Sequence, residues 1–109
     1  MKAPKKLAGK WRITETEMWD AEELDLVGPA QLTIDADGFG SFQMVAVQGE
    51  LDCRFEGDRV EFSWVGDDDG SEVSGRGWAE VGRDGVLRGQ IYFHQGDESA
   101  FVARRSRSR

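Results

Sequence analysis

Residues 73–94 read VSGRGWAEVGRDGVLRGQIYFH. Gly75, Gly77, Ala79 and Val81 alternate with Ser74, Arg76, Trp78 and Glu80. After Arg83-Asp84-Gly85 the alternation resumes, with Leu87, Gly89, Ile91 and Phe93 set against Arg88, Gln90 and Tyr92. A side-chain period of two belongs to a strand with one face in a core and one in water. Asp-Gly tolerates the positive φ that a tight hairpin requires. The stretch predicts two antiparallel strands joined by a hairpin.

The same alternation extends in both directions. It marks eight predicted strands, over residues 9–17, 30–35, 39–48, 50–56, 59–65, 73–82, 86–94 and 98–104. Turn chemistry recurs at Ala36-Asp37-Gly38, Glu56-Gly57-Asp58 and Gln95-Gly96-Asp97. One parity per strand gives a coherent inward set, which includes Trp11, Ile13, Leu32, Ile34, Phe42, Met44, Ala46, Leu51, Cys53, Phe55, Val60, Phe62, Trp64, Phe101 and Ala103. Eight sequential hairpin-linked strands can close on themselves and so remove their exposed edges. The expected fold is therefore all-β, a single antiparallel up-and-down barrel of about eight strands. A two-sheet sandwich is the alternative, because 66–72 is long enough to cross between sheets.

Residues 18–29 break the pattern. Asp20 and Glu23 have capping-box spacing, Trp19 and Leu24 suit a hydrophobic staple, and Gly28-Pro29 supplies a stop. One short helix over 20–27 is predicted, packing Leu24 and Val27 onto an open barrel end as a lid.

The 109 residues suit one domain, spanning 1–109. Of the 14 basic residues, eight lie near the ends, so 1–8 and 105–109 read as basic, frayed termini. Between residues 11 and 103, six Arg stand against all 21 Asp and Glu, a formal charge of −15. Such a field repels nucleic acid and membrane phosphates and suits a basic protein partner. No apolar run approaches the ~18 residues of a membrane span, and a single cysteine, Cys53, allows no intrachain disulfide. A cytoplasmic location is the expectation.

Gly9-Lys10-Trp11 resembles the G-x-W with which lipocalins, fatty-acid-binding proteins and avidins, the calycin group, open their barrels. The resemblance implies that Trp11 closes one barrel end, with a basic residue of the last strand, Arg104 or Arg105, packed across it. The chain is shorter than a typical lipocalin and lacks a T-D-Y motif. A wider likeness to uncharacterised small bacterial proteins runs through Trp19-Asp20, Gly28-Pro29-Ala30, Ser74-Gly75-Arg76-Gly77-Trp78 and Ile91-Tyr92-Phe93-His94. It carries no known activity.

Two kinds of site follow from the alternation. Inside, the small residues Gly75, Gly77 and Gly89 face Phe55, Phe62 and Trp64. They leave room for a small apolar or aromatic ligand, or they serve curvature while bulky neighbours fill the space. Glu15, Glu17 and Trp19 would stand at the mouth beneath the helix. Outside, Arg76, Trp78, Tyr92 and His94 would share one wall, as a packing cluster or a recognition patch. The acidic loop Asp67-Asp68-Asp69-Gly70-Ser71-Glu72 lacks the ligand spacing of a calcium loop, so no metal and no cofactor is expected. No hydrolase, phosphate-loop, dinucleotide or zinc-protease motif is present. The leading expectation is a non-enzymatic barrel that binds a small apolar or aromatic molecule. An acidic interaction module or inhibitor comes second, and an enzyme using Glu15, Glu17 or His94 third.

Overall fold

A computed structural model describes residues 2–106 of the chain. Its strands are β1 (Gly9–Thr16), β2 (Gln31–Ile34), β3 (Phe39–Met44), β4 (Val47–Glu56), β5 (Arg59–Asp68), β6 (Ser71–Val81), β7 (Leu87–Phe93) and β8 (Glu98–Arg105), with one helix, α1 (Ala21–Leu24), between β1 and β2. Each strand pairs antiparallel with the next, and β8 returns to β1, so the sheet is a closed up-and-down barrel. Closure excludes the sandwich.

Two strand boundaries differ from the sequence expectation. A break at Gly49 was expected, yet Gly49 lies inside β4, opposite Phe42, and the turn falls at Val45-Ala46. Val45 has φ 55°, a conformation that β-branched residues rarely adopt, so its sequence carries no turn signal. Ala46, expected to point inward, belongs to that turn. The expected loop over 66–72 is instead mostly ladder, paired to Asp68↔Ser71. Only Asp69 (φ 52°) and Gly70 (φ 95°) make the turn, both with positive φ as a type I′ hairpin demands.

The inward parity otherwise holds, and the interior is continuous from Trp11 and Leu87 at one end to Met44, Trp64 and Leu24 at the other. Glycines mark where neighbouring strands press closest. A Cβ on Gly66 would stand 1.8 Å from the Gln48 carbonyl oxygen, and one on Gly89 would stand 2.0 Å from that of Trp78. Backbone of the next strand occupies those positions, which is how the wall bends tightly enough to close.

Residues 3–8 pack against one end of the barrel. Leu7 and Ala8 donate to the Pro4 carbonyl, Ala3 donates to Ala36, and Leu7 is fully buried. The indole of Trp11 donates to the Leu7 carbonyl at 2.9 Å. The one apolar residue at 7 plugs this end, while Lys2, Lys5 and Lys6 stay in water; charge composition hid it. Of the two arginines the G-x-W resemblance offered, Arg105 is the one that lies over Trp11, 4.2 Å from the ring centroid, and its guanidinium donates to the Lys6 and Ala8 carbonyls. Residues 107–109, the rest of the basic end, lie outside the described residues.

At the opposite end α1 is shorter than the expected 20–27. The capping box is present, with Asp20 accepting from the Glu23 amide and Glu23 reaching back to the Asp20 amide. The helix stops after Leu24 because the Asp25 carboxylate turns away to hold Arg12, at 2.6 and 2.9 Å, and the Ala30 amide, at 2.9 Å. Leu24 is buried and its carbonyl accepts from Val45, but Val27 is exposed rather than packed.

The Arg12 hydrogen bond, then the Ala30 amide, draw the Asp25 carboxyl below its ordinary range. A depressed folded-state pKa contributes stability above the unfolded value, and that contribution is lost as pH falls through the folded value. Both side chains are more than a third exposed, so screening keeps the pair's worth to about 1 kcal/mol at most. Asp25→Asn is expected to destabilise by about that amount at neutral pH and by less in acid. Urea midpoints at pH 7 and pH 3 would show it; an equal loss at both would contradict the ionic role.

Candidate interaction surface

Of the residues expected to line an internal site, Phe62 and Gly77 border one groove and Trp64 borders another. The Phe62 ring fills the position beside Gly77, where a Cβ would meet Phe62 Cζ at 2.5 Å. Trp64 Nε1 is 2.8 Å from where a Gly75 Cβ would be. Through the gap that Gly75 leaves, the Trp64 indole donates to the Tyr92 carbonyl at 3.2 Å. Trp64 also meets Phe42 and Phe93 edge to face, at 4.9 and 5.1 Å, and Phe93 meets Trp19 at 6.2 Å. Trp19, half-buried just before α1, thus ends a chain of contacting rings that runs through Phe93 and Trp64 to Phe42.

Phe55 pairs with Val60 at the opposite end and does not approach Trp19. Glu15 leaves the mouth altogether. A bulge between Ile13 and Glu15 shifts its parity, so that it stands opposite Val102 and its side chain is exposed. Glu17 is exposed too, and accepts from the Ala100 amide. Cys53 is buried, and desolvation, with smaller contributions from Asp52 and Asp35, pushes its thiol up to about 11. It stays protonated at neutral pH and is a poor nucleophile.

The outer-wall residues, by contrast, come together. Ladder register sets Arg76 beside Tyr92 and Trp78 beside Gln90 on β6 and β7, and sets Ser63 and Glu61 beside Arg76 and Trp78 on β5. Arg76 lies 4.2 Å from the Tyr92 ring centroid. Arg59, from β5, lies 4.2 Å from that of Trp78. Each contact is a cation–π pair between strand neighbours, a type worth ~0.5–1 kcal/mol at an exposed site. Arg59 was not expected in this group; its place one residue after the Gly57-Asp58 turn puts it diagonal to Trp78, a relation that parity on a single strand cannot reveal. His94 is exposed past the end of β7, where its amide donates to the Ser74 carbonyl at 2.7 Å.

Two grooves flank Arg76. One, of about 310 Å³, is bordered by Arg54, Arg59, Arg76 and Trp78 and by the carboxylates of Asp52 and Glu61. The other, of about 540 Å³, is bordered by Ser63, Val65, Arg76, Tyr92, His94 and Gln95. Val65 is 64% exposed in the middle of this wall. Among the described residues, no cluster of three or more His, Cys, Asp or Glu could hold a metal ion. Among the described residues, no helix is long and apolar enough to cross a membrane.

No protein-family model, curated protein or solved structure matches the chain. The closed eight-stranded barrel is compatible with the architecture that the G-x-W resemblance implies.

Proposed function

We propose that the protein is a non-enzymatic recognition module that binds a partner protein on the outer wall of β5, β6 and β7. The observation that carries this reading is the pair of arginine–aromatic stacks, Arg59 on Trp78 and Arg76 on Tyr92, set between two grooves. Trp, Tyr and Arg are the side chains most enriched among residues that dominate binding energy. Here the stacks hold them in place before any partner arrives, which lowers the entropy cost of association. The interior supports a ligand less well, because the rings of Phe62 and Trp64 take the space beside the glycines.

Affinity capture from the native host with the wild-type chain and with Trp78→Ala tests the reading. Trp78 is only half-buried, so the variant should fold, while recovery of the specific partner should drop at least ~10-fold. Equal recovery by both proteins would sink the proposal. A small molecule found by native mass spectrometry, with no protein recovered, would favour the interior ligand instead.

A second reading has its own observation. Glu50, Asp67 and Glu72 border a trough of about 590 Å³ across β4, β5 and β6, and make no ion pair among the described residues. With a surrounding formal charge of −15 between residues 11 and 103, this wall suits a basic protein. Binding there would weaken steeply between low and physiological salt.

A further inference from the structure

We propose that the β5–β7 wall recognises an extended peptide segment through one carboxylate, which Arg76 takes in its two-pronged guanidinium, while the flanking side chains occupy the grooves on either side. This rests on the wall being the binding surface, and goes on to assign the chemistry of what it binds.

Most of the described arginines already have partners, and those without one among the described residues, Arg76, Arg83 and Arg104, differ in that only Arg76 sits on an aromatic ring. Arg12 is held by Asp25, Arg54 stands 3.7 Å from Asp52, Arg59 contacts Glu61 and Glu80, and Arg88 is clasped by Asp84. Arg105 is spent on Trp11 and two carbonyls. Arg76 and Arg105 both have an aromatic seat and no carboxylate within 4.0 Å among the described residues, but the Arg105 guanidinium already donates to two carbonyls, which leaves Arg76 as the seated arginine open to a ligand. Seating on Tyr92, with the guanidinium carbon 4.2 Å from the ring centroid, restricts where the guanidinium can point. A planar fork of donors held in that way matches a carboxylate in bidentate geometry.

Charge then chooses among anions. The formal charge of −15 over residues 11–103 opposes a nucleic acid or any other polyanion, because the repulsion grows with each added charge. A single carboxylate meets the Arg76 guanidinium beside a groove where Arg54 and Arg59 stand against Asp52 and Glu61, so the local balance is positive by one and accommodates one negative charge. Grooves of about 310 and 540 Å³ on its two sides are large enough to seat side chains, and within their largely polar lining Val65 and the Trp78 and Tyr92 rings offer the apolar surface. The occupant is therefore a segment with one Asp or Glu between apolar or aromatic residues.

The test titrates isotope-labelled protein with acetyl-Phe-Glu-Phe-amide, and with the same peptide carrying Gln or phosphoserine in place of Glu. The Arg76 Nε–H and Trp78 indole resonances report binding. The Glu peptide is expected to shift both saturably and to bind about tenfold more tightly than the Gln peptide. Arg76→Gln should erase that preference, and Arg76→Lys, which keeps the charge without the fork, should recover only part of it. The phosphoserine peptide should bind no more tightly than the Glu peptide.

Equal binding of the Glu and Gln peptides, with Trp78 shifted by both, would overturn the carboxylate assignment while leaving the wall as the binding surface. Binding of all three without a shift at Trp78 would remove the wall itself. Tighter binding of phosphoserine would overturn the choice of a single carboxylate in favour of a phosphorylated segment. No binding by any peptide, from a variant series whose amide spectra otherwise match the wild type, would overturn the proposal.

Discussion

Trp64→Ala is expected to lower the unfolding free energy by about 3–5 kcal/mol, the range for deleting a buried Trp. Trp64 is 2% exposed, lies edge to face with both Phe42 and Phe93, and covers the bare backbone of Gly75. A domain of this size holds only about 5–15 kcal/mol in total, so the variant should sit near the margin of folding. Trp64→Phe separates the two contributions of the indole. It keeps most of the packing but removes the donor to the Tyr92 carbonyl, leaving that acceptor short of a partner at a cost of about 1–3 kcal/mol. Urea midpoints at constant slope would measure both. The outcome also bears on function: a cost for Trp64→Ala below about 1 kcal/mol would mean that the ring is not integral to the core, and the interior-ligand reading would regain the ground that the recognition wall now holds.

Gly66→Ala should cost about 3 kcal/mol, at the upper end for overpacking. The added methyl would meet the Gln48 carbonyl oxygen at 1.8 Å, the Gly49 Cα at 2.7 Å and the Gln48 carbonyl carbon at 2.8 Å. All three are backbone, so no side chain can swing aside; β4 and β5 would have to separate where Gly49 and Gly66 pair. Gly70→Ala is the control. Its φ of +95° makes any side chain strained, yet nothing lies within 4 Å, so the cost should be confined to the left-handed backbone, about 1–2 kcal/mol. Thermal or urea unfolding of the pair, with Gly66→Ala clearly the worse, would support close strand approach as the reason for glycine at 66. Equal losses would contradict it.

The outer wall shows how far alternation reaches. Arg76, Trp78, Tyr92 and His94 could be grouped from parity alone, because once two strands are adjacent the ladder brings their outward residues side by side. Arg59 could not, since its approach to Trp78 is diagonal and depends on register and twist. The Glu15 position was misread for a related reason: a single-residue bulge reverses parity, and nothing in Ile13-Thr14-Glu15 announces one. The Val45-Ala46 turn was missed because local chemistry there opposes the conformation that the flanking strands impose.

Strand number, antiparallel order, the inward set and the Asp20 helix cap were all determined by the sequence itself. Each arises from local periodicity or from contacts within a few residues, and these act alike in every tertiary context. The tertiary structure alone decided that the barrel closes, that Leu7 and Arg105 seal the Trp11 end, and that Phe62 and Trp64 occupy the space beside Gly77 and Gly75. Those outcomes depend on distances between residues far apart in the chain, down to the fraction of an ångström that separates a cavity from a packed ring. Hydrophobic patterning records which side a residue faces, whereas volume is set only when all eight strands are in register.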